Sequence, residues 1–371
     1  MPMPGLEQKL EELREEYSKT RYNKATNKHL GILRRKMADI KKEIAGRKRA
    51  KGAGFAVRKS GDATVALVGF PNAGKSSLIR LLTGVDSKVA DYAFTTVTVI
   101  PGMMRYGGAK VQILDIPGLI EGAHTGVGEG ARIASVIRTC DLLLFVCDIN
   151  HPEHIGKLLD ELYGFGIIVN GKKPMIKIDE DAKGIEIDLG NHKAPPKKEV
   201  MELLKESKIY NAKVIFYQDS DIEDVAEVLE DRVYIKAIAA LNKADTVTTK
   251  YSESIRKELK SLAGMPVIVT SAARGTGLEE LKKSVFEALG IIRIYLKPRD
   301  GSEDRANPLI INGGGNVMDV ARKLHSKTAK DLKFAYITGR SAKFANQRVG
   351  PEHQLADEDV VTLVYEKALS A

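Results

Sequence analysis

The segment Gly69-Phe70-Pro71-Asn72-Ala73-Gly74-Lys75-Ser76-Ser77 narrows the fold of this 371-residue chain more than any other. It fits the pattern G-x-x-x-x-G-K-[ST]. An apolar run at 64–68, read as a strand, precedes it, and an apolar-periodic stretch at 76–82, read as a helix, follows. In that setting a Gly-rich turn lets backbone N–H groups converge on phosphate oxygens. The helix N-terminus behind it adds partial positive charge. Lys75 is placed to reach β- and γ-phosphates, and Ser76 to ligate Mg²⁺. Gly69, Asn72, Ala73, Gly74, Lys75, Ser76 and Ser77 are the candidate phosphate contacts.

Three further motifs follow strand-like runs and complete a nucleotide site. Asp115-Ile116-Pro117-Gly118 follows the run at 111–114. Its carboxylate can hold Mg²⁺ through water, and the Gly118 N–H can meet a γ-phosphate. Upstream, Phe94-Thr95-Thr96 offers a hydroxyl to the same metal, with Thr96 nominated and Thr95 the alternative. Asn242-Lys243-Ala244-Asp245 follows the run at 237–241. A carboxylate at Asp245 accepts from guanine N1–H and the exocyclic amino group, and adenine lacks that pair of donors. Buried groups left unpaired make such discrimination steep. Asn242 is expected to bond the other guanine edge, and the Lys243 stem to cover the ring. Ser271-Ala272-Ala273, after a strand at 267–269, fits a loop whose N–H meets guanine O6.

Alternation of strands and helices over 64–290 predicts an α/β domain with a mostly parallel sheet and helices on both faces. It is assigned to 61–165 and 233–290. The stretch between Asp148 and Val233 is far longer than the roughly 30 residues of an ordinary βαβ unit. An inserted α+β domain is therefore read at 166–232. Its strands are placed at 167–169, 175–178 and 185–189, its helices at 199–208 and 222–229, and a hairpin turn at Asn170-Gly171. Residues 291–371 read as a separate β-grasp-like module, with strands near 291–296, 309–311, 334–337 and 360–364 around a helix at 317–325. In residues 1–60, apolar positions 6, 10, 13, 17 and then 30, 33, 37, 40, 44 predict two amphipathic helices packed as a hairpin.

The net charge of +9 is unevenly placed. Residues 1–60 carry 17 Lys and Arg against 7 Asp and Glu, a net of +10, whereas 61–290 are at −4 and 291–371 at +3. A basic helical arm on a slightly acidic core points to a phosphate-rich partner. No zinc pattern, aromatic RNA-stacking pattern or recognition-helix signature accompanies it, so backbone and shape would dominate the contact. With 43% hydrophobic residues the composition is that of a globular protein. No apolar run of about 18 residues predicts a membrane span. The charged start argues against a secretory signal, and two cysteines, Cys140 and Cys147, read as buried thiols in a reducing compartment. A monomeric cytoplasmic protein is expected.

The motifs in this order resemble the translation-factor-related class of GTPases. Gly69 to Ser76, Asp91-Tyr92-Ala93-Phe94-Thr95-Thr96 and Asp115-Ile116-Pro117-Gly118-Leu119-Ile120-Glu121-Gly122-Ala123 are similar to its Obg branch. Asn23-Lys24-Ala25-Thr26 followed by His29-Leu30-Gly31 resembles the developmentally regulated GTP-binding (DRG) family. Val349-Gly350, His353, Leu355 and Asp357-Glu358-Asp359-Val360-Val361 resemble the end of a TGS domain. The order of parts agrees over essentially the whole chain. The resemblance implies GTP and GDP as ligands, Mg²⁺ as cofactor and hydrolysis of GTP as a switch. It also implies association with ribosomes and an insert similar to a fold found in a small-subunit ribosomal protein. Within it, Lys75, Thr96 and Gly118 take the catalytic roles. The basic arm, through Arg34, Arg35, Lys36, Lys41, Lys42, Arg47, Lys48 and Arg49, becomes a ribosomal RNA contact, and the TGS-like module a place for a protein partner. Two alternatives stand beside the switch: an RNA-binding scaffold that holds GTP structurally, and a protein-binding regulatory module.

Leu119 stands where Ras-like switches place a glutamine that orients water, and leucine has no hydrogen-bonding group. Hydrolysis is then slow, or another group assists. Asn72 either ligates a monovalent cation, as the resemblance implies for K⁺, or only shapes the turn. His124, in the Gly-rich segment 121–130, either positions water or is a solvated loop residue. His151-Pro152-Glu153-His154 supplies two imidazoles, short of a metal set, and Gly313-Gly314-Gly315 reads as a turn.

Overall fold

The computed structural model describes residues 60–84, 100–116, 129–180, 184–230, 232–298, 301–324 and 329–366. The helical hairpin expected in 1–60 lies outside them, as do Thr95, Thr96, Gly118, Leu119 and His124. The chain divides after Gly171 and after Tyr234 into two compact units.

The larger unit is built on a seven-stranded sheet. In chain order it uses β1 (Ala63–Val68), β2 (Ile100–Tyr106), β3 (Ala109–Asp115), β4 (Leu142–Asp148), β5 (Ile167–Val169), β9 (Val233–Asn242) and β10 (Val267–Val269). The spatial order is β10-β9-β4-β1-β3-β2, with β5 also on β9. β1 runs parallel to β3 and β4, and β9 parallel to β4 and β10; β2 alone of these is antiparallel, on β3. All six residues of β1 are buried, as expected for a strand covered on both faces. Val65, Leu67, Leu142, Leu144 and Val146 face one core cluster, while the alternate residues point to the opposite face.

Helices α1 (Lys75–Thr83) and α7 (Leu278–Leu289) close that cluster through Leu78, Ile79 and Leu82 and through Leu281, Val285 and Phe286. Between them in the chain come α2 (Glu129–Ile137), α3 (His154–Gly164) and α6 (Thr249–Ala263). β1, β3, β4, β9 and β10 are aligned, so their C-terminal ends meet along one edge, where ligands of open α/β sheets bind. The register sets Leu67 beside Asp115, Asp148 beside Asn242 and Leu241 beside Val269. Edge strand β2 was not expected: its Pro101 and Gly102 weaken a strand pattern and are tolerated at an edge. It turns into β3 at Gly107 and Gly108, whose φ values of 55° and 83° suit a two-residue hairpin turn.

The smaller unit holds the insert. β6 (Ile176–Asp179), β7 (Ile185–Asp188) and β8 (Ala212–Phe216) form a sheet with β8 central, antiparallel to β6 and parallel to β7. α4 (Lys197–Glu206) and α5 (Ile222–Leu229) bury Val200, Leu204 and Val225 against it. Asp221 starts α5 with a capping box that pairs it with Asp224.

The expected insert boundary at 166 moves. β5 pairs with β9 in the large sheet, so it belongs to the nucleotide-binding domain. Asn170-Gly171 is no insert hairpin. The Asn170 amide pairs with the backbone of Ala237, accepting from its N–H at 2.8 Å and donating to its C=O at 3.0 Å.

The C-terminal module has β11 (Ile291–Leu296), β12 (Asp304–Asn312), β13 (Leu332–Thr338), β14 (Gln347–Val349) and β15 (Asp359–Tyr365) in the order β12-β11-β15-β13-β14. Helix α8 (Val317–Leu324) packs on one face through Val317, Val320 and Ala321. Gly313 to Gly315 form the turn into it. This is the expected β-grasp, but not a separate body. β11 follows the Gly290 cap of α7 without a linker, and Ile291 and Ile310 join the core of the large sheet. Lys323 pairs with Asp62 at 3.2 Å, and the Arg293 guanidinium lies 5.4 Å from the Phe286 ring centre. No described helix is long and apolar enough to cross a membrane.

Candidate functional site

The loop between β1 and α1 has the shape of an anion cradle. Asn72 and Gly74 have positive φ, 63° and 94°, which turns successive backbone N–H groups the same way. Gly74 is required there: a Cβ would run into the Asn242 side chain. The N-terminus of α1 has no side-chain cap and no acidic residue in its first turn. The N–H groups of Lys75, Ser76 and Ser77 therefore have no intrahelical partner and face a site that favours negative charge. Gly69 is buried beneath the loop. Asn72, Ser76 and Ser77 are exposed along it, and Ala73 is buried.

Lys75 folds back over this loop. Its ammonium donates to the carbonyls of Gly69 at 2.7 Å and Phe70 at 3.0 Å. Burial pulls it below its ordinary pKa, partly opposed by the Asp115 carboxylate. A phosphate would compete for the ammonium and offer a formal charge in place of two neutral carbonyls. At the end of β3, Asp115 accepts from the Ser76 hydroxyl at 3.3 Å. Its Oδ1 is buried without a hydrogen-bond partner among the described residues. Burial raises its pKa, with Lys75 and Ser76 pulling the other way. A buried carboxylate oxygen with no donor beside an exposed hydroxyl is a donor set that fits a hard cation.

The base-reading motifs gather at the ends of β9 and β10. Asp245 accepts a short hydrogen bond from the Ser271 hydroxyl. That bond, first among the causes, holds its carboxyl below the usual range. The carboxylate is thus oriented and ionised. Lys243 has φ 63°, and its ammonium meets Asp148 Oδ2 at 2.7 Å, which ties the end of β9 to the end of β4. For Asp148, burial pushes the carboxyl up, but bonds from Lys243 and Asn150 outweigh it, and the net shift is downward.

Asn242 has a role the sequence did not disclose. It is 1% exposed. Its amide donates to the Ala73 carbonyl at 2.9 Å, and its oxygen accepts from the Ala272 N–H at 3.0 Å. One side chain thus joins the phosphate loop to the Ser271-Ala272-Ala273 loop and fixes the span between them. The expected guanine contact is left with the second amide hydrogen. The Ala272 N–H is committed as well, which leaves the exposed Ala273 as the N–H donor of that loop. Asp148 was missed altogether. Its signal was an acidic residue closing a fully apolar strand, next in register to Asn242.

A family model described as a 50S ribosome-binding GTPase matches residues 64–179, the C-terminal region of that domain matches 182–291, and a TGS domain matches 292–365. A developmentally-regulated GTP-binding protein 1 from Xenopus laevis is 38% identical over 378 residues, covering 98% of this chain and 100% of its own length. A Dictyostelium discoideum homologue of that protein is 38% identical, covering 97% and 99%. A GTP-binding protein of Methanocaldococcus jannaschii is 40% identical over 367 residues, covering 98% and 94%. A solved GTP-binding protein from Pyrococcus horikoshii OT3 matches with a TM-score of 0.44 and 16% identity, covering 82% of this chain and all of that one.

Proposed function

Because this chain belongs to the developmentally regulated GTP-binding protein family, we propose that it hydrolyses GTP to GDP and phosphate as a conformational switch. The observation that carries this reading is the Asn242 bridge, which sets a base-reading carboxylate and an uncapped helix N-terminus at a fixed span. In this reading Asp245 accepts from guanine N1–H and the 2-amino group, and the Ala273 N–H donates to O6. Lys75 leaves the Gly69 and Phe70 carbonyls for the β- and γ-phosphates. Ser76 and Asp115, with Thr96, are the residues that would hold Mg²⁺. When bound, the ion neutralises charge shared between the β- and γ-phosphates. Thr96 and Gly118 lie outside the described residues, and their roles rest on the motif alone.

Leu119 supplies no group to orient water, so intrinsic turnover is slow. K⁺ at Asn72 would offset charge developing between the phosphates. Asn72 is exposed at the rim of the loop with a positive φ, so its side chain is available to such an ion. Single-turnover hydrolysis is expected to run at least tenfold faster in KCl than in NaCl, and Asn72→Ala is expected to remove the difference. Equal rates in the two salts would leave Asn72 with the turn alone.

The partner in this reading is the ribosome, reached through the basic arm of residues 1–60, with the TGS domain available to a protein. Each phosphate contact displaces a condensed counterion. Reversing Arg34, Arg35, Lys41 and Lys42 to Glu is therefore expected to abolish co-sedimentation with ribosomes at physiological salt and to leave GDP affinity unchanged. Undiminished sedimentation would remove the arm from the interface.

A further inference from the structure

His151-Pro152-Glu153-His154 lies on the turn from β4 into α3, and nucleotide chemistry leaves it without a task. Two imidazoles alone fall short of a metal site. Folding supplies a third ligand. Glu153 occupies the N-cap position of α3, yet its carboxylate makes no capping bond. It turns instead to the imidazoles: Oε1 lies 3.3 Å from His151 Nδ1 and 4.0 Å from His154 Nε2. The three candidate ligand atoms all lie within 4.8 Å of one another. Bonds of about 2.1 Å around a tetrahedral Zn²⁺ separate ligand atoms by about 3.4 Å. Small side-chain rotations thus bring all three to ligating distance.

The rings are already held. His154 stacks on Phe70, with centroids 4.2 Å apart and planes at 22°, and on His151 at 5.2 Å and 21°. The Cys147 thiol donates to the His151 carbonyl at 3.3 Å, which fixes the turn from below. The Glu153 carboxylate offsets the positive end of α3, which alone would repel a cation. The side chains of His151 and Glu153 are 58% and 59% exposed and that of His154 26%, so water can fill the remaining coordination position. Imidazole with one carboxylate selects Zn²⁺, Co²⁺, Ni²⁺ or Cu²⁺ over Mg²⁺ and Ca²⁺, which favour all-oxygen sets.

We propose that His151, Glu153 and His154 form a surface site for one divalent cation of the Zn²⁺ class, seated against the phosphate loop through the His154–Phe70 stack. The site shares no residue with the Ser76 and Asp115 pair and takes a different class of ion.

Zn²⁺ titration of the nucleotide-free full chain, in competition with a chromophoric chelator, tests this. One site is expected in the wild type, weakened at least tenfold in the His151→Gln, His154→Gln double variant and less in Glu153→Gln. Co²⁺ is expected to give the visible bands of a tetrahedral N/O site in the wild type and not in the double variant. Zn²⁺ binding as tight in the double variant as in the wild type, or an unchanged Co²⁺ spectrum, would overturn the assignment. Metal-free melting curves separate ligand loss from unfolding. Should the double variant fail to fold, His151→Gln alone, an exposed position, must still lower the affinity. The readout needs no nucleotide, so it stands or falls independently of GTP binding.

Discussion

Asp245→Asn is expected to lower GTP affinity by roughly a hundredfold or more and to raise affinity for xanthosine triphosphate by a comparable factor. Guanine presents two donors, N1–H and the 2-amino group, and a carboxylate accepts both. An asparagine amide keeps one acceptor and replaces the other with a donor, which meets the guanine amino group as a clash of donors. Xanthine has a carbonyl at C2, and the amide matches it. The Ser271 hydroxyl can still donate to the amide oxygen, so orientation survives the exchange. The same hydroxyl keeps Asp245 below the ordinary carboxylate range in the native chain. Guanine selectivity should therefore be flat across neutral pH and weaken only in acid, as the carboxylate gains a proton. Nucleotide competition against a fluorescent GDP analogue, run for GTP and the xanthosine nucleotide, reads both halves. Unchanged preference for guanine would move base recognition away from Asp245.

Lys75→Met is expected to reduce hydrolysis by roughly 10²–10³, the cost of removing one aligned donor from a developing charge. It should also lower triphosphate affinity more than diphosphate affinity if, as proposed, the ammonium moves to the γ-phosphate. The effect on the empty protein is the informative contrast. The Lys75 ammonium is partly buried, and burial disfavours its charge. The carbonyls of Gly69 and Phe70 can bond to water in its absence. The melting temperature without nucleotide should stay within about 2 °C of the wild type. Asp115 would lose the cation that opposes its desolvation. Its carboxyl should shift further up, and the Ser76–Asp115 pair should hold Mg²⁺ less well. A variant that loses stability and nucleotide together would show Lys75 to be structural.

The candidate nucleotide-site residues were legible because each lies at or just beyond the C-terminal end of an apolar strand. Gly69 follows β1, Asp115 closes β3, Asn242 closes β9 and Ser271 comes shortly after β10. Buried parallel strands are unbroken apolar runs, and loops at their ends are short, so motif and strand could be placed together. What pairs across the chain was not legible. Asn242 and Ala73 are 169 residues apart, and nothing local says that an amide will bridge two loops and keep a single hydrogen for the base. The Asn170-Gly171 pair gave a real turn signal, but the Asn170 amide answers the backbone of Ala237, so β5 belongs to the large sheet and not to the insert the signal suggested. Strand β8 alternates buried and half-buried residues from Ala212 to Phe216, a pattern too short to stand out beside two helices. His151 and His154 were set aside for want of a third ligand, which depended on where the Glu153 side chain turned.

In the proposed function, the ends of β1, β3, β9 and β10 assemble a guanine-specific hydrolytic site. Its most direct test is phosphate release by the purified full chain with Mg²⁺ and K⁺, offered GTP and ATP at equal concentration. Turnover of GTP only is expected, lost in Lys75→Met and transferred to the xanthosine nucleotide in Asp245→Asn. Release of phosphate from ATP at a similar rate, or GTP turnover that survives Lys75→Met, would contradict it.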